Sequence, residues 1–462
     1  MPNWTKEQAL AINEKGKNII VSAGAGSGKT AVLTERVITH LKAGVKIDEL
    51  LILTFTNAAA TEMKIRIRKK IKEIKELKSE LDKIDSAYIT TFDAFALSLV
   101  KKYSHILNIE KNLQIADATL IKLKKEKYLK EIFDKYYEIK DPLFEKLLDD
   151  FTVKDDKEIF ENIINLDDKL SNIYGKEDFL KSYINNYYSE EKLNNYIEEY
   201  LEYIKEKKKQ IKNQIHALDL YVDGTYIEKI EEVVLPMLNS KTYKETKDNL
   251  ITKLPNMPKG VEEDAKELKK EITKILKEIE NLTKYEDESH IKKTIESTKD
   301  YAKVIVKILI ELDEKMKKFK SKKSIYEFID ISNMAIDLLK TNQKVKEELK
   351  EKFYEILIDE YQDTNDLQEL FVSFIEKNNV YMVGDIKQSI YRFRNTNPKL
   401  FKDKYSLYSK GEKGLKIDLN KNFRSRNNVL QSINKMFDYM MTEEIGGAEY
   451  RESHQMIYGN KT

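Results

Sequence analysis

The sequence predicts an α/β fold in which one parallel sheet is assembled from two distant stretches of chain, with a large all-helical insertion between them. Three observations predict it. Short β-rich apolar runs fall near both ends, at 18–22, 51–56, 88–92, 356–359, 380–383 and 415–419, and are nearly absent between. Each of the first five leads through turn or capping residues, usually into a helix-period pattern, which is how a parallel α/β sheet reads. Glycine divides the chain in the same way: of 14 glycines, five lie at or before Gly44 and only Gly175, Gly224 and Gly260 lie between there and Gly384.

The middle, about 103 to 321, is helical by period. Ahead of it Ile67, Ile71, Ile74, Leu77, Leu81 and Ile84 recur at three and four, which predicts a helix over 63–84, and within it Leu268, Ile272, Ile275, Ile279 and Leu282 repeat the pattern. Pro142, Pro236, Pro255 and Pro258 are expected to divide this region into several helices. At 462 residues the chain has room for about two to four domains. With 35% charged and 41% hydrophobic residues it can build real cores, and a net charge of +2 carries no bulk nucleic-acid signature. The absence of cysteine excludes disulfides, thiol nucleophiles, cysteine-ligated zinc and iron–sulfur clusters. The start, MPNWTKEQAL, lacks a signal-peptide plan, and no apolar run approaches the ~20 residues a bilayer requires, so a cytoplasmic chain without membrane contact is expected.

The first strand runs into Ala23, Gly24, Ala25, Gly26, Ser27, Gly28, Lys29 and Thr30, then into the helix-period residues Val32, Leu33, Val37, Ile38 and Leu41, with Gly44 as the stop. Glycines let the backbone turn several N–H groups toward one anion, Lys29 reaches the β/γ-phosphates, and Thr30 can hold Mg²⁺. Ala23 stands where the strict pattern has glycine, and Arg36 on the following helix is counted with the nucleotide-binding set. A phosphate loop also needs a carboxylate on a neighbouring strand for the metal and a base for water. The run 356–358 ending in Asp359 and Glu360 supplies both: Asp359 toward the metal, Glu360 toward the attacking water. The cofactors expected are ATP and Mg²⁺, on a P-loop NTPase sheet.

Asp359 to Asn365 reads DEYQDTN, and Gly384 to Arg394 reads GDIKQSIYRFR. Here the chain resembles the UvrD/Rep/PcrA class of superfamily 1 DNA helicases and, within it, the AddA (RexA) helicase–nuclease subunits, over roughly 1–104 and 325–440. The resemblance implies a RecA-like motor domain at 1–104 and 325–400, a helical insertion at 105–324, and the start of a second motor domain at 401–462. It implies that Gln8, in Trp4-Thr5-Lys6-Glu7-Gln8, reads adenine, and that Phe55, Thr56, Asn57, Thr91, Phe92, Tyr391, Phe393 and Arg394 contact DNA. Gln388 would sense the γ-phosphate, Arg424 would enter the ATP site as an arginine finger, and Phe423 would cover the adenine. The implied function is ATP-dependent DNA unwinding within a helicase–nuclease of double-strand-break repair, with single-stranded and duplex-end DNA as substrate and an AddB/RexB-type protein as partner in a heterodimer. Aromatic faces beyond strand ends suit a motor that grips any sequence, since every base stacks.

Only 38 residues follow Arg424, and the class's later motifs and its nuclease motif are absent, so the chain is expected to be the front of a larger protein and to turn ATP over poorly alone. Two other readings stand beside this one: a non-catalytic ATP- and DNA-binding fragment, or one from a solitary UvrD-like helicase, and a coiled-coil ATPase of the structural-maintenance type. Against the last, prolines and glycines interrupt the middle and no sustained heptad survives.

Overall fold

The computed structural model describes residues 4–152, 154–442, 445 and 450–459. The six apolar runs form β1 (Ile19–Ala23), β2 (Leu50–Thr54), β3 (Tyr88–Thr91), β4 (Glu355–Ile358), β5 (Val380–Gly384) and β6 (Leu415–Leu419). They make one parallel sheet in the order β3-β2-β4-β5-β1-β6. The C-terminal strands β4 and β5 thus lie between β2 and β1 of the N-terminal stretch, and the P-loop NTPase fold follows.

Side chains alternate across a strand, so each central strand feeds two cores, while the edge strand β6 gives Ile417 and Leu419 to the second alone. Ile20, Leu51, Leu53, Ile356, Ile358 and Met382 pack with Phe95, Ile331, Phe353 and Phe371 on one face. Ile19, Val21, Ile52, Leu357, Tyr381 and Val383 pack with Val32, Leu33, Val37, Met63 and Ile67 on the other. Burial on both faces is why the central strands β1, β2, β4 and β5 read as apolar runs, whereas the edge strand β6, Leu-Lys-Ile-Asp-Leu, alternates.

Four helices position the site: α1 (Lys6–Asn13), α2 (Lys29–Lys42), α3 (Asn57–Lys72) and α4 (Phe92–Lys102). The helix expected to run to Ile84 stops at Lys72, and a 3₁₀ segment, Lys75–Glu80, carries the apolar spacing onward. Of the four prolines, Pro142 opens helix Pro142–Phe151, Pro255 and Pro258 fall in the non-helical stretch 249–262, and Pro236 lies inside helix Gly224–Asn239 without ending it.

The chain divides into two compact units. One comprises residues 1–123, 169–174 and 317–462, and holds the sheet. The other comprises 124–168 and 175–316, is helical, and has its own core of Ile211, Ile215, Ile230, Val234, Met237, Ile272, Leu276 and Ile279. The helical unit is thus smaller than the expected 105–324, and Gln114–Ile115 pairs in parallel with Ile325–Tyr326 inside the sheet-bearing unit. The expected boundary at 401 also moves, because β6 pairs with β1 from Ile19↔Leu415 to Ala23↔Leu419 as the edge strand of the same sheet. Among the described residues no helix is long and apolar enough to cross a membrane.

Candidate nucleotide and nucleic-acid site

The site lies beyond the carboxyl ends of the strands, where open α/β sheets take their ligands. β1 ends at Ala23, and the loop reaches α2 through Gly26 at φ +72° and Gly28 at φ +85°, backbone conformations that side chains with a Cβ resist. Gly24 accepts a hydrogen bond from Ser27 N at 3.1 Å, and Ala25 is exposed at the bend. Gly28 caps α2 with no side-chain acceptor, so the first N–H groups of the helix stay available to an anion. Ser27 Oγ is buried without a partner among the described residues. Thr30 is the second residue of α2, and its carbonyl accepts from Thr34 Oγ1.

Lys29 Nζ lies 3.0 Å from Glu360 Oε2 and 3.3 Å from Oε1, joining residues 331 apart in sequence. Glu360 follows Asp359 off the end of β4 in a left-handed conformation, φ +52°, a strain characteristic of functional turns. Burial, and next the Glu360 charge, push Asp359 up to about 6. Asp363, raised by the same two causes, also sits at about 6. An unpaired hydroxyl, a helix N-terminus, a lysine and two hard carboxylates are the donors that a magnesium-bound triphosphate requires.

A second chain of hydrogen bonds leaves Glu360 toward β5. Gln362 Nε2 donates to Glu360 Oε2 at 2.8 Å, and Gln362 Oε1 accepts from Asp385 N at 2.9 Å. Gly384 admits this contact, since a Cβ there would meet Gln362 Oε1 at 2.4 Å. Asp385, almost fully buried, is held by Lys387 Nζ at 2.7 Å and by Gln388 Nε2 at 2.8 Å. Beyond Ser389 stand the aromatic and basic residues of the 390–394 stretch. Tyr391 packs on Phe55 with centroids 4.8 Å apart, and Phe393 follows at 5.9 Å from Tyr391, 77% exposed.

Over residues 4–235 and 208–409 the chain matches the family described as UvrD/REP helicase N-terminal domain. The chain belongs to the UvrD/REP helicase family. It is 34% identical over 507 residues to the A subunit of the ATP-dependent helicase/nuclease of Ligilactobacillus salivarius (strain UCC118), covering 99% of this chain and 40% of the relative. The proteins of the same name from Clostridium novyi (strain NT) and Thermoanaerobacter sp. (strain X514) are also 34% identical, over 99% of this chain and 40% and 41% of their own lengths. The chain thus spans about two fifths of the length of the curated relatives it matches.

Within this UvrD/REP domain two assignments need correction. Arg36 is not a nucleotide contact: it is 0% exposed, and its guanidinium is bonded to Glu355 through Nε at 2.8 Å and Nη2 at 2.5 Å. It also donates to Ala11 O at 2.9 Å and lies over the Tyr381 ring at 4.2 Å. Phe92 does not present its ring as a surface platform: it begins α4 and packs edge-on against Phe371 in the core, with Phe95, Ala96 and Leu99 on the same helix face.

The other sequence-derived residues fall as follows. Gln8 is buried against the phosphate loop, donating to Ser27 O at 3.0 Å and accepting from Thr5 N. Thr56 and Thr91 cap α3 and α4, accepting from Ala59 N and Ala94 N, and Asn57 is exposed at the start of α3. Phe55, Thr91, Asp359 and Glu360 border one cavity of about 200 Å³, together with Asp93, whose carboxyl burial pushes up. Phe423 N donates to Gly26 O at 2.9 Å, and Arg424 is exposed beside it. The side chain of Arg394 lies outside the described residues. Among the basic residues of α3, Arg66 is paired with Glu62, Arg68 with Asp85 and Lys70 with Glu35. Gln362, Asp385 and Asn422 carry site geometry to which sequence reasoning assigns no role. Gln362 and Asp385 are signalled only by lying in the 359–365 and 384–394 blocks, and Asn422 only by standing two residues before Arg424.

Proposed function

We propose that this chain binds ATP with Mg²⁺ and, as part of a longer helicase–nuclease, couples ATP hydrolysis to travel along single-stranded DNA during double-strand-break repair. Membership of the UvrD/REP family and relatives named as ATP-dependent helicase/nuclease subunits support this reading. The single observation that carries it is the approach of Lys29 to Glu360 at 3.0 Å across the sheet. In this reading the 24–30 loop and Lys29 hold the phosphates, Thr30 and Asp359 hold the metal, and Gln8 and Phe423 hold adenine. Glu360 accepts the proton of the attacking water, and Arg424 offsets charge developing on the phosphates. Bound magnesium would supply charge neutralisation on the phosphate oxygens.

Phe55, Tyr391 and Phe393, with Thr56, Asn57, Thr91 and Arg394, would grip single-stranded DNA by stacking and phosphate contacts. Residues 420–462 would open a second motor domain, and an AddB/RexB-type protein would be the partner on duplex ends, in the cytoplasm. The test is ATP hydrolysis measured with and without single-stranded DNA: stimulation supports the reading, and a chain whose hydrolysis ignores DNA contradicts it.

Two predictions arise from the same geometry. Gln388 bonds Asp385, one step from Gln362 and Glu360 and three residues before Tyr391. Gln388→Ala is therefore expected to keep ATP binding and lose DNA-stimulated turnover, and unchanged stimulation would refute the coupling. Phe393→Ala is expected to weaken binding of an oligothymidylate by about 1–3 kcal/mol, the usual worth of one base–aromatic stack, as read by fluorescence anisotropy. An affinity that does not move removes Phe393 from the interface.

A further inference from the structure

The loop that carries Arg424 is not held by Arg424 itself. Asn422, 2% exposed, bonds that loop and the phosphate loop through its side-chain amide, whose Nδ2 also donates to Met456 Sδ at 3.8 Å. Its Oδ1 accepts from Arg424 N at 2.9 Å and from Ser425 N at 2.8 Å, which fixes the backbone bend that presents the arginine. Its Nδ2 donates to Ala25 O at 2.6 Å, and the next residue's N–H, that of Phe423, donates to Gly26 O at 2.9 Å. The fit is close: a Cβ on Gly26 would stand 2.8 Å from Asn422 Nδ2 and 2.9 Å from Arg424 Cβ. From outside, Asn422 is anchored by the short parallel ladder Lys421–Asn422 with Ile457–Tyr458, and its carbonyl accepts from Gly459 N at 2.9 Å.

The structure assigns to Asn422 the role of a positioning residue: one amide that sets the bend of the Arg424 loop and registers that loop on Ala25 and Gly26 of the phosphate loop. The inference rests on the nucleotide reading above only for its consequence, since the bonds themselves join residues of the chain to one another. A registering amide explains how an exposed, long arginine returns to one place over the phosphates without a side-chain partner of its own being required.

The experiment has two arms. In the nucleotide-free chain, amide hydrogen exchange is measured for the peptide 420–426. Asn422→Ala is expected to speed exchange at Arg424 and Ser425 by about tenfold, the scale of one hydrogen bond lost at each amide. Asn422→Asp keeps the acceptor oxygen and is expected to keep that protection while losing the donor to Ala25, so it tests the role even if the alanine variant unfolds. Unchanged exchange in Asn422→Ala, or lost protection in Asn422→Asp, overturns the assignment. In the second arm, affinity for a fluorescent ATP analogue with Mg²⁺ is measured for Asn422→Ala, Arg424→Ala and the double variant. If Asn422 acts through Arg424, the two losses do not add, and the double variant binds within about twofold of Arg424→Ala. Fully additive losses overturn the role. Failure of the unsubstituted chain to bind the analogue would defeat the nucleotide reading, while the exchange arm would still decide the inference.

Discussion

Glu360→Gln is expected to lower ATP turnover by about 10²–10⁴-fold while leaving affinity for the nucleotide nearly unchanged, the loss typical of removing a positioned general base. The substitution keeps the size of the side chain and an oxygen to accept from Lys29 and Gln362, so the loop geometry survives. What is lost, under the function proposed above, is the acceptor for the proton of water. The left-handed turn at Glu360 and the buried Asp359 beside it make this carboxylate the one aimed from the end of β4 toward Lys29. Steady-state hydrolysis and an equilibrium titration, run on the same preparation with single-stranded DNA present, separate the two effects. A variant that loses affinity and keeps turnover would transfer the role of base to another residue.

The second large effect is on stability. Arg36→Ala is expected to destabilise the sheet-bearing unit by about 3–5 kcal/mol in denaturant unfolding, because it strands a buried carboxylate. Glu355 is bonded by Arg36 on one side and by His40 Nε2 at 2.8 Å on the other, and all three side chains are buried. Burial alone would push the Glu355 carboxyl up, but hydrogen bonds from His40 and Arg36 more than offset it and hold the group below its ordinary value of 4.5. With the folded value depressed, this contribution is present above pH 4.5 and is lost as pH falls below it. Replacing both partners, as in Arg36→Met with Glu355→Leu, is expected to cost less than Arg36→Ala alone, since no charge is left unpaired. A mild effect of Arg36→Ala, with a loss of nucleotide affinity instead, would return Arg36 to the nucleotide site.

Arg36 also marks where sequence reading reaches its limit. Its position two helical turns past Lys29 is visible in the sequence, but its partner lies 319 residues away, and no local pattern encodes which distant acid a buried arginine meets. The sheet is legible for the opposite reason. A central strand buried on both faces, as β1, β2, β4 and β5 are, leaves an apolar run that needs no partner to be seen, and all six β-rich runs are strands of one sheet. Phe92 escapes the strand-end reading although its signal is present. With Phe95, Ala96 and Leu99 it repeats at three, four and seven, the mark of a helix face turned to a core, and that face belongs to α4 rather than to the strand end. The end of α3 at Lys72 is hidden because a 3₁₀ turn also brings every third residue to one side, so the three-residue steps from Ile71 through Ile74 to Leu77 suit either helix. The proximity of Lys29 and Glu360 follows from motif chemistry, and the strand order β4-β5-β1 is what brings them to one edge of the site.

The measurement that bears most directly on this account is an equilibrium titration of the chain with a fluorescent ATP analogue in the presence of Mg²⁺, repeated with Lys29→Ala. Saturable binding that depends on Mg²⁺ and falls by about tenfold or more in the variant is expected, because a charge-assisted bond to phosphate is lost. Binding that is equally tight without Lys29, or no binding by the unsubstituted chain, would contradict a nucleotide site at the junction of β1 and β4.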